Sequence, residues 1–424
     1  MFRFKNKNIT TYLLLIVVFS LEKFAYLVPT QKYFIPGLMK YSDFGIILAL
    51  LWILWVFLNC CKKKSNLDLK RKNKKIFKNI IFYYLILTIT SSIAANAFFR
   101  QPVSWGIRSL RNQIVCFILY FSIINAIDIN ILDRDDFTKI ITVVGIIEII
   151  IYLLQYLLID KVTFTYIDTS EVRNGTSRLR FSYLLPLILS IKAFDNLLNG
   201  KNNKILNIVI IIFGASVLIV ICKHRAPSVM YMVALVIGYL LWKKNIIKKF
   251  LIGFIVLILG GTIIFNSSLF QSTFNTLEGR NDDNVSLNTM DIRYEGQKYY
   301  INQLKKSIIF GYGNANTNCK EAMIASGEND YYYLADNGII GFAYIYGLLG
   351  IVWVFILFYK IINASYFCYR KEKNLFFLVY FIFEIGNLYI GMHWYYYYTL
   401  PFILVLVLLN LKYCELKKKG EFNE

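Results

Sequence analysis

The chain reads as an all-α polytopic membrane protein: about 12 transmembrane helices and one large, partly helical periplasmic loop. Three observations predict it. Of 424 residues, 57% are hydrophobic and 17% charged, and the mean hydropathy of +0.51 is far from a soluble average. The apolar residues fall in blocks of about 20, the length of a helix that crosses a bilayer. The loops between blocks are alternately rich and poor in basic residues, as membrane topology requires.

Taken in order, the predicted spans are 10–28, 42–60, 79–97, 112–129, 137–159, 181–199, 205–222, 227–242, 250–266, 338–359, 375–392 and 395–411. The segment MFRFKNKN followed by Thr10–Val28 imitates a signal peptide. It lacks a small-residue cleavage site, so it reads as an uncleaved first helix. The N-terminus carries Arg3, Lys5 and Lys7, and the second loop reads KKKSNLDLKRKNKKIFK. Lys243, Lys244, Lys248 and Lys249 follow span eight; Arg370, Lys371 and Lys373 follow span ten; Lys417–Lys419 close the chain. With both termini in the cytoplasm, every one of these clusters falls inside. The expected organisation is one membrane domain over 1–424, with the large outer loop at 267–337. The expected location is a bacterial inner membrane.

The formal charge of +21 is accounted for by those loops, and no nucleic-acid motif accompanies it. The seven cysteines show no metal-ligand spacing and no disulfide framework. Asp133-Arg134-Asp135 imitates the D-x-D of metal-dependent glycosyltransferases, but no nucleotide-binding domain is near it.

Arginine breaks the topological rule that lysine obeys. Of 34 lysines, eight fall on the outer side of this threading. Of 13 arginines, nine do: Arg100, Arg108, Arg111, Arg173, Arg178, Arg180, Arg225, Arg280 and Arg293. A guanidinium binds phosphate oxygens through a rigid fork and stays charged at any relevant pH. Outward arginines from several loops therefore point to an anionic ligand at the outer face. A polyprenyl-pyrophosphate sugar fits, with its tail in the bilayer and its pyrophosphate at the interface. One cationic knot, Lys223-His224-Arg225, stands between two apolar runs in ICKHRAPS, residues 221–228.

A second constellation is RYEGQKYYINQLKKSIIFGYGNANTNCKEAMIASGENDYYYLADNGIIG, residues 293–341. Asn288 could cap a helix running through Gln303. GYGN is a turn signal. The mixture of rings, carboxylates and amides in ENDYYYLADNG suits sugar binding, with an interfacial aromatic belt as the plainer reading of Tyr331–Tyr333.

In order, Arg178-Leu179-Arg180 before span six, Arg225-Ala226 after span seven, and Arg293…FGYGN…ND-Y…DNGIIG resemble the O-antigen polymerase and ligase superfamily. The resemblance covers most of residues 100–350. It implies a membrane glycosyltransferase that moves a glycan from a polyprenyl (undecaprenyl) pyrophosphate donor to an acceptor hydroxyl, with no metal or other cofactor. Arg225 matches the family's basic residue at the seventh-to-eighth turn. Arg173, Arg178 and Arg180 are alternatives for its other functional arginine. Where the ligase branch commonly has His-Asn in the large loop, this chain has Glu328-Asn329, which favours a polymerase.

On this reading Arg225, Arg178, Arg173, Arg180 and Arg293 stabilise the leaving pyrophosphate, and Glu328 or Asp330 acts as base. Arg108, Arg111, His224, Tyr294, Asn329, Tyr331, Asp336 and His393 are candidates for substrate binding. A chain-length regulator protein is a candidate partner. An O-antigen ligase, and a flippase of lipid-linked oligosaccharide, are the alternatives.

Overall fold

In a computed structural model, the structure describes residues 9–29, 32–35, 39–63, 73–159, 161–167, 172–173, 176–201, 203–242, 289–327, 332–389 and 391–421. The protein is an all-α polytopic membrane protein. Its helices are α1 (Ile9–Leu21), α2 (Tyr41–Lys63), α3 (Lys78–Phe99), α4 (Val103–Ser109), α5 (Arg111–Asp128), α6 (Arg134–Leu158), α7 (Leu184–Leu198), α8 (Lys204–Ser216) and α9 (Arg225–Leu241). After these come α10 (Thr289–Leu304), α11 (Lys320–Ala325), α12 (Gly338–Glu372), α13 (Phe376–Gly386), α14 (His393–Tyr396) and α15 (Thr399–Glu421). Two short antiparallel ladders interrupt them: β1 (Tyr33–Ile35) with β2 (Met39–Lys40), and β3 (Val172–Arg173) with β4 (Thr176–Ser177).

Eleven of the twelve expected spans coincide with a helix; the ninth, 250–266, lies outside the described residues. Six described helices are long and apolar enough to cross a membrane, and α4 with α5, bent by 63°, makes a seventh. The others are shorter because irregular backbone cuts into the apolar blocks. Span one stops at Leu21, where Lys23, Phe24, Ala25 and Tyr26 take left-handed φ values of 59°, 53°, 50° and 62°. Span six starts at Leu184 because the chain before it is irregular, with Leu179 N–H donating to Ile221 O at 3.2 Å and Phe181 N–H to Leu179 O at 3.0 Å. Span eleven ends at Gly386, and the last helix is displaced to Thr399–Glu421.

Capping explains several starts. Asp133 accepts from Asp135 N at 2.9 Å, so the apparent D-x-D opens α6 as an N-cap. Asn203 caps α8 through Ile205 N. The core is one continuous apolar cluster drawn from nearly every helix and dense in aromatics, including Trp353, Tyr84, Phe117 and Trp394.

The bundle's two ends differ. At one, Arg134 on α6 pairs with Glu415 on α15, Glu372 at the end of α12 pairs with Lys412, and Glu415 also holds Lys419. Twenty residues separate Thr399 from Lys419 along α15, about 30 Å of helix and so about one hydrocarbon thickness. The arginines and histidines singled out by sequence that the structure describes lie toward the opposite end.

GYGN does more than turn. Gly311 and Gly313, at φ 67° and 85°, press the loop against α12 and α3. A Cβ on Gly313 would sit 2.2 Å from Ser91 O. Helix α12 is broken at Gly347 (φ 62°), and the loop fills the break. Tyr312 N bonds to Tyr344 O at 2.8 Å, Gly313 N to Ile345 O at 3.0 Å, and Leu348 N to Ile308 O at 2.7 Å. Asn316 then ties the loop to α4 through Trp105 O and Ser109 Oγ.

Candidate functional site

Helix α8 ends in a π-turn, Val217–Ile221, a widened coil that often marks functional backbone. It presents two carbonyls to the segment before α7. Ile221 O takes Leu179 N–H, and Cys222 O takes Arg178 Nε at 2.9 Å. The Arg178 guanidinium also contacts His224, with Nη2 3.0 Å from Nδ1. A guanidinium only donates, so Nδ1 accepts and the His224 proton sits on Nε2. Lys223, left-handed at φ 49°, reverses the chain so that His224 stands as the N-cap of α9 and Arg225 as its first residue. Arg178 and Arg225 are close enough for their charges to repel. The positive end of the α9 dipole adds to that field.

Two further segments close the cluster. The His393 ring lies 5.7 Å from that of His224, and its Nδ1 is hydrogen-bonded to the Tyr183 hydroxyl. Burial, then the charges of Arg293 and Arg178, push His393 down to about 4, so it is neutral at physiological pH. Arg293, from α10, has a buried Nε with no hydrogen-bond partner among the described residues. Arg180 and Asp336 both act electrostatically on Tyr397, one turn beyond His393.

The fold therefore brings together Arg178, His224, Arg225, Arg293 and His393, with Arg180 and Asp336 at the margin. It does not join all the outward arginines. Arg111 is committed to an ion pair with Asp43, and Arg108 lies exposed on α4. Tyr294 is exposed and has one ring face covered by Lys298, 4.2 Å from its centroid. Arg173 lies in β3, with its side chain outside the described residues. Glu328, Asn329, Asp330 and Tyr331 also lie outside them.

Sequence reasoning missed two residues. Tyr183 holds His393. Glu22, buried just past α1, accepts from Ser182 Oγ at 2.9 Å and so pins the segment between Arg178 and Tyr183. Its signal was the Glu22-Lys23 pair in an otherwise apolar block. Among the described residues no cluster of three or more metal-ligating side chains occurs.

Fold and cluster together define a polytopic membrane protein with a cationic, histidine-bearing site at one end of its helical bundle. Residues 209–355, about a third of the chain, match the family described as O-antigen ligase. Over that stretch the chain is similar to the O-antigen polymerase and ligase superfamily. The matched stretch carries His224, Arg225 and Arg293; Arg178 and His393 reach the site from outside it. That similarity points to a membrane glycosyltransferase-like protein with lipid-linked oligosaccharide substrates. No curated protein matches the chain.

Proposed function

We propose that the protein polymerises lipid-linked oligosaccharide repeat units at the outer face of the bacterial inner membrane. Glycan passes from a polyprenyl-pyrophosphate donor to a sugar hydroxyl of an acceptor repeat unit, without a metal. One observation carries this reading: Arg178, His224 and Arg225, brought from two segments, meet beside His393 and Arg293.

In the reaction the acceptor oxygen attacks the anomeric carbon as the glycosidic C–O bond to pyrophosphate breaks. The bonding pair stays on the phosphate oxygen, where negative charge builds. On this reading Arg178, Arg225 and Arg293 stabilise that charge, with Arg180 or Arg173 as further candidates, and preorganised donors in an enclosed site stabilise it most. The α9 N-terminus acts in the same direction. The acceptor proton needs a base. Glu328 and Asp330 are the large loop's candidates, and the neutral imidazole of His393 is the nearest described alternative. On this reading the chain is one membrane domain with both termini cytoplasmic, its 267–337 loop and site periplasmic, and a chain-length regulator a compatible partner.

The O-antigen ligase reading is favoured by the description of the matching family itself. A deletion strain separates the two: single-repeat glycan means polymerase, and accumulated lipid-linked polymer means ligase. Purified protein supplied with lipid-linked repeat units should make longer glycan in detergent. A flippase would make none.

A further inference from the structure

Where the sugar rings sit is a question of aromatic faces, and the answer rests on the glycan-transfer reading above. Two turns meet beside His393. A Cβ on Gly391 would lie 3.5 Å from Ala335 O, Ile339 N donates to Leu388 O at 2.8 Å, and Gly338 is held against the Leu388 and Tyr389 carbonyls. Three tyrosines stand out from this seam: Tyr333 is 61% exposed, Tyr389 60% and Tyr397 53%.

Exposed tyrosines at a membrane surface are ordinarily belt residues, whose rings lie among lipid head groups. The surroundings of these three argue otherwise. Tyr397 lies in the field of Asp336, Arg180 and Tyr333, and its ring centroid is 5.9 Å from that of His393. Tyr389 donates its hydroxyl proton to Gln297 Oε1 at 3.0 Å, on the same helix as Arg293. Asp336 is fixed by its own N–H, which bonds to Tyr333 O at 3.1 Å. Rings edged by a carboxylate, an amide and cations are poor neighbours for acyl chains. They suit pyranoses, whose C–H faces stack on rings while their hydroxyls donate to carboxylates.

We propose that Tyr333, Tyr389 and Tyr397, with Asp336, form a glycan-binding shelf that holds the pyranose rings of the oligosaccharide substrate beside the arginine–histidine cluster. The rings supply stacking area, and the Asp336 carboxylate accepts from sugar hydroxyls.

The test uses the purified full chain in detergent and lipid-linked repeat units extracted from cells lacking the gene. The Tyr333→Ala/Tyr397→Ala pair should raise KM about tenfold or more and keep kcat within about threefold, the pattern of lost uniform binding. The Phe/Phe pair, which keeps both rings, should restore KM. Tyr359→Ala, an equally exposed tyrosine far along α12, should leave KM unchanged. If the Ala pair folds poorly, Asp336→Asn alone should still raise KM. An Ala pair no different from Tyr359→Ala, with wild-type turnover intact, overturns the shelf and leaves the transfer reading standing. Saturation-transfer NMR with delipidated oligosaccharide reads the shelf without turnover. Binding by a wild type that makes no polymer supports the shelf and sinks the transfer reading, and no saturation transfer to the sugar protons refutes the shelf.

Discussion

Arg178→Lys tests whether the site needs an oriented guanidinium or only a positive charge. Two bonds to described residues help to hold Arg178, Nε to Cys222 O at 2.9 Å and Nη2 to His224 Nδ1 at 3.0 Å. Both are charge-assisted and partly buried, a type worth about 1.5–3 kcal/mol each. A lysine ammonium on its flexible stem can keep one of the two. Losing the other removes about 1.5–3 kcal/mol of orientation, or roughly 10- to 150-fold in rate if that orientation is used in the transition state. The charge is retained, so the field at His393 changes little. The assay is turnover of lipid-linked repeat units by purified protein, with a melting curve to confirm folding. A variant within twofold of the parent in turnover, at equal melting temperature, refutes the claim that the carbonyl of the π-turn exists to aim this side chain.

Three other outcomes are expected. Arg225→Ala should leave expression intact and glycan at single repeat units, and Arg225→Lys should fail too if its phosphate contact is bidentate; normal chain lengths in either count against the assignment. His393 has a folded pKa of about 4, below its ordinary 6.5, so between those values the unfolded chain binds the extra proton. The contribution of His393 to stability should therefore be full above about pH 6.5 and be lost as pH drops toward 4. His393→Asn should flatten that fall in melting temperature, and equal slopes refute it. Gly313→Val places a branched side chain where φ is 85° and Ser91 O is 2.2 Å from a Cβ. It should abolish folded protein, seen as lost membrane accumulation, whereas Gly200→Ala, also left-handed at φ 65° but with open space around it, should cost only about 1–2 kcal/mol of backbone strain and still accumulate.

The fold was legible wherever a single property of a window decides the outcome. Hydropathy located eleven helices because burial in lipid demands about 20 apolar residues whatever their order. Boundaries were less legible, since they depend on polar turns within apolar blocks. Glu22 was averaged into span one, and only the fold shows that its carboxyl meets Ser182, 160 residues away. The arginine core was legible for a physical reason: lysine satisfies topology, so outward arginine signals another demand. That argument could not separate Arg178 and Arg225, which share a cluster, from Arg111, whose partner Asp43 lies 68 residues earlier. Pair partners distant in sequence leave no local trace.

Irregular backbone is concentrated at the site end of the bundle, and this has a physical consequence. The left-handed turn at Lys23–Tyr26, the π-turn at Val217–Ile221, left-handed Lys223, left-handed Met392 before His393 and the break at Gly347 all lie toward that end. At membrane depth, non-helical backbone is tolerated only where protein covers it or where it lines a polar cavity. Each interruption here releases groups that the structure reuses. The π-turn supplies Ile221 O to Leu179 and Cys222, just past it, offers its O to Arg178; the break in α12 supplies Tyr344 O and Ile345 O to the GYGN loop, and Tyr26 O accepts from Tyr166 N at 2.8 Å. The far end has left-handed turns of its own at Asn130, Gly200 and Lys373, but its helix termini are also fastened by opposite charges: Arg134 to Glu415 and Lys412 to Glu372. An end held by ion pairs neutralises its own field. Backbone interlocks can hold Arg178, Arg225 and Arg293 near one another without relying on charge pairing for the fold. The interruptions thus let the bundle gather like charge without unfolding, which is the condition that the proposed pyrophosphate site requires.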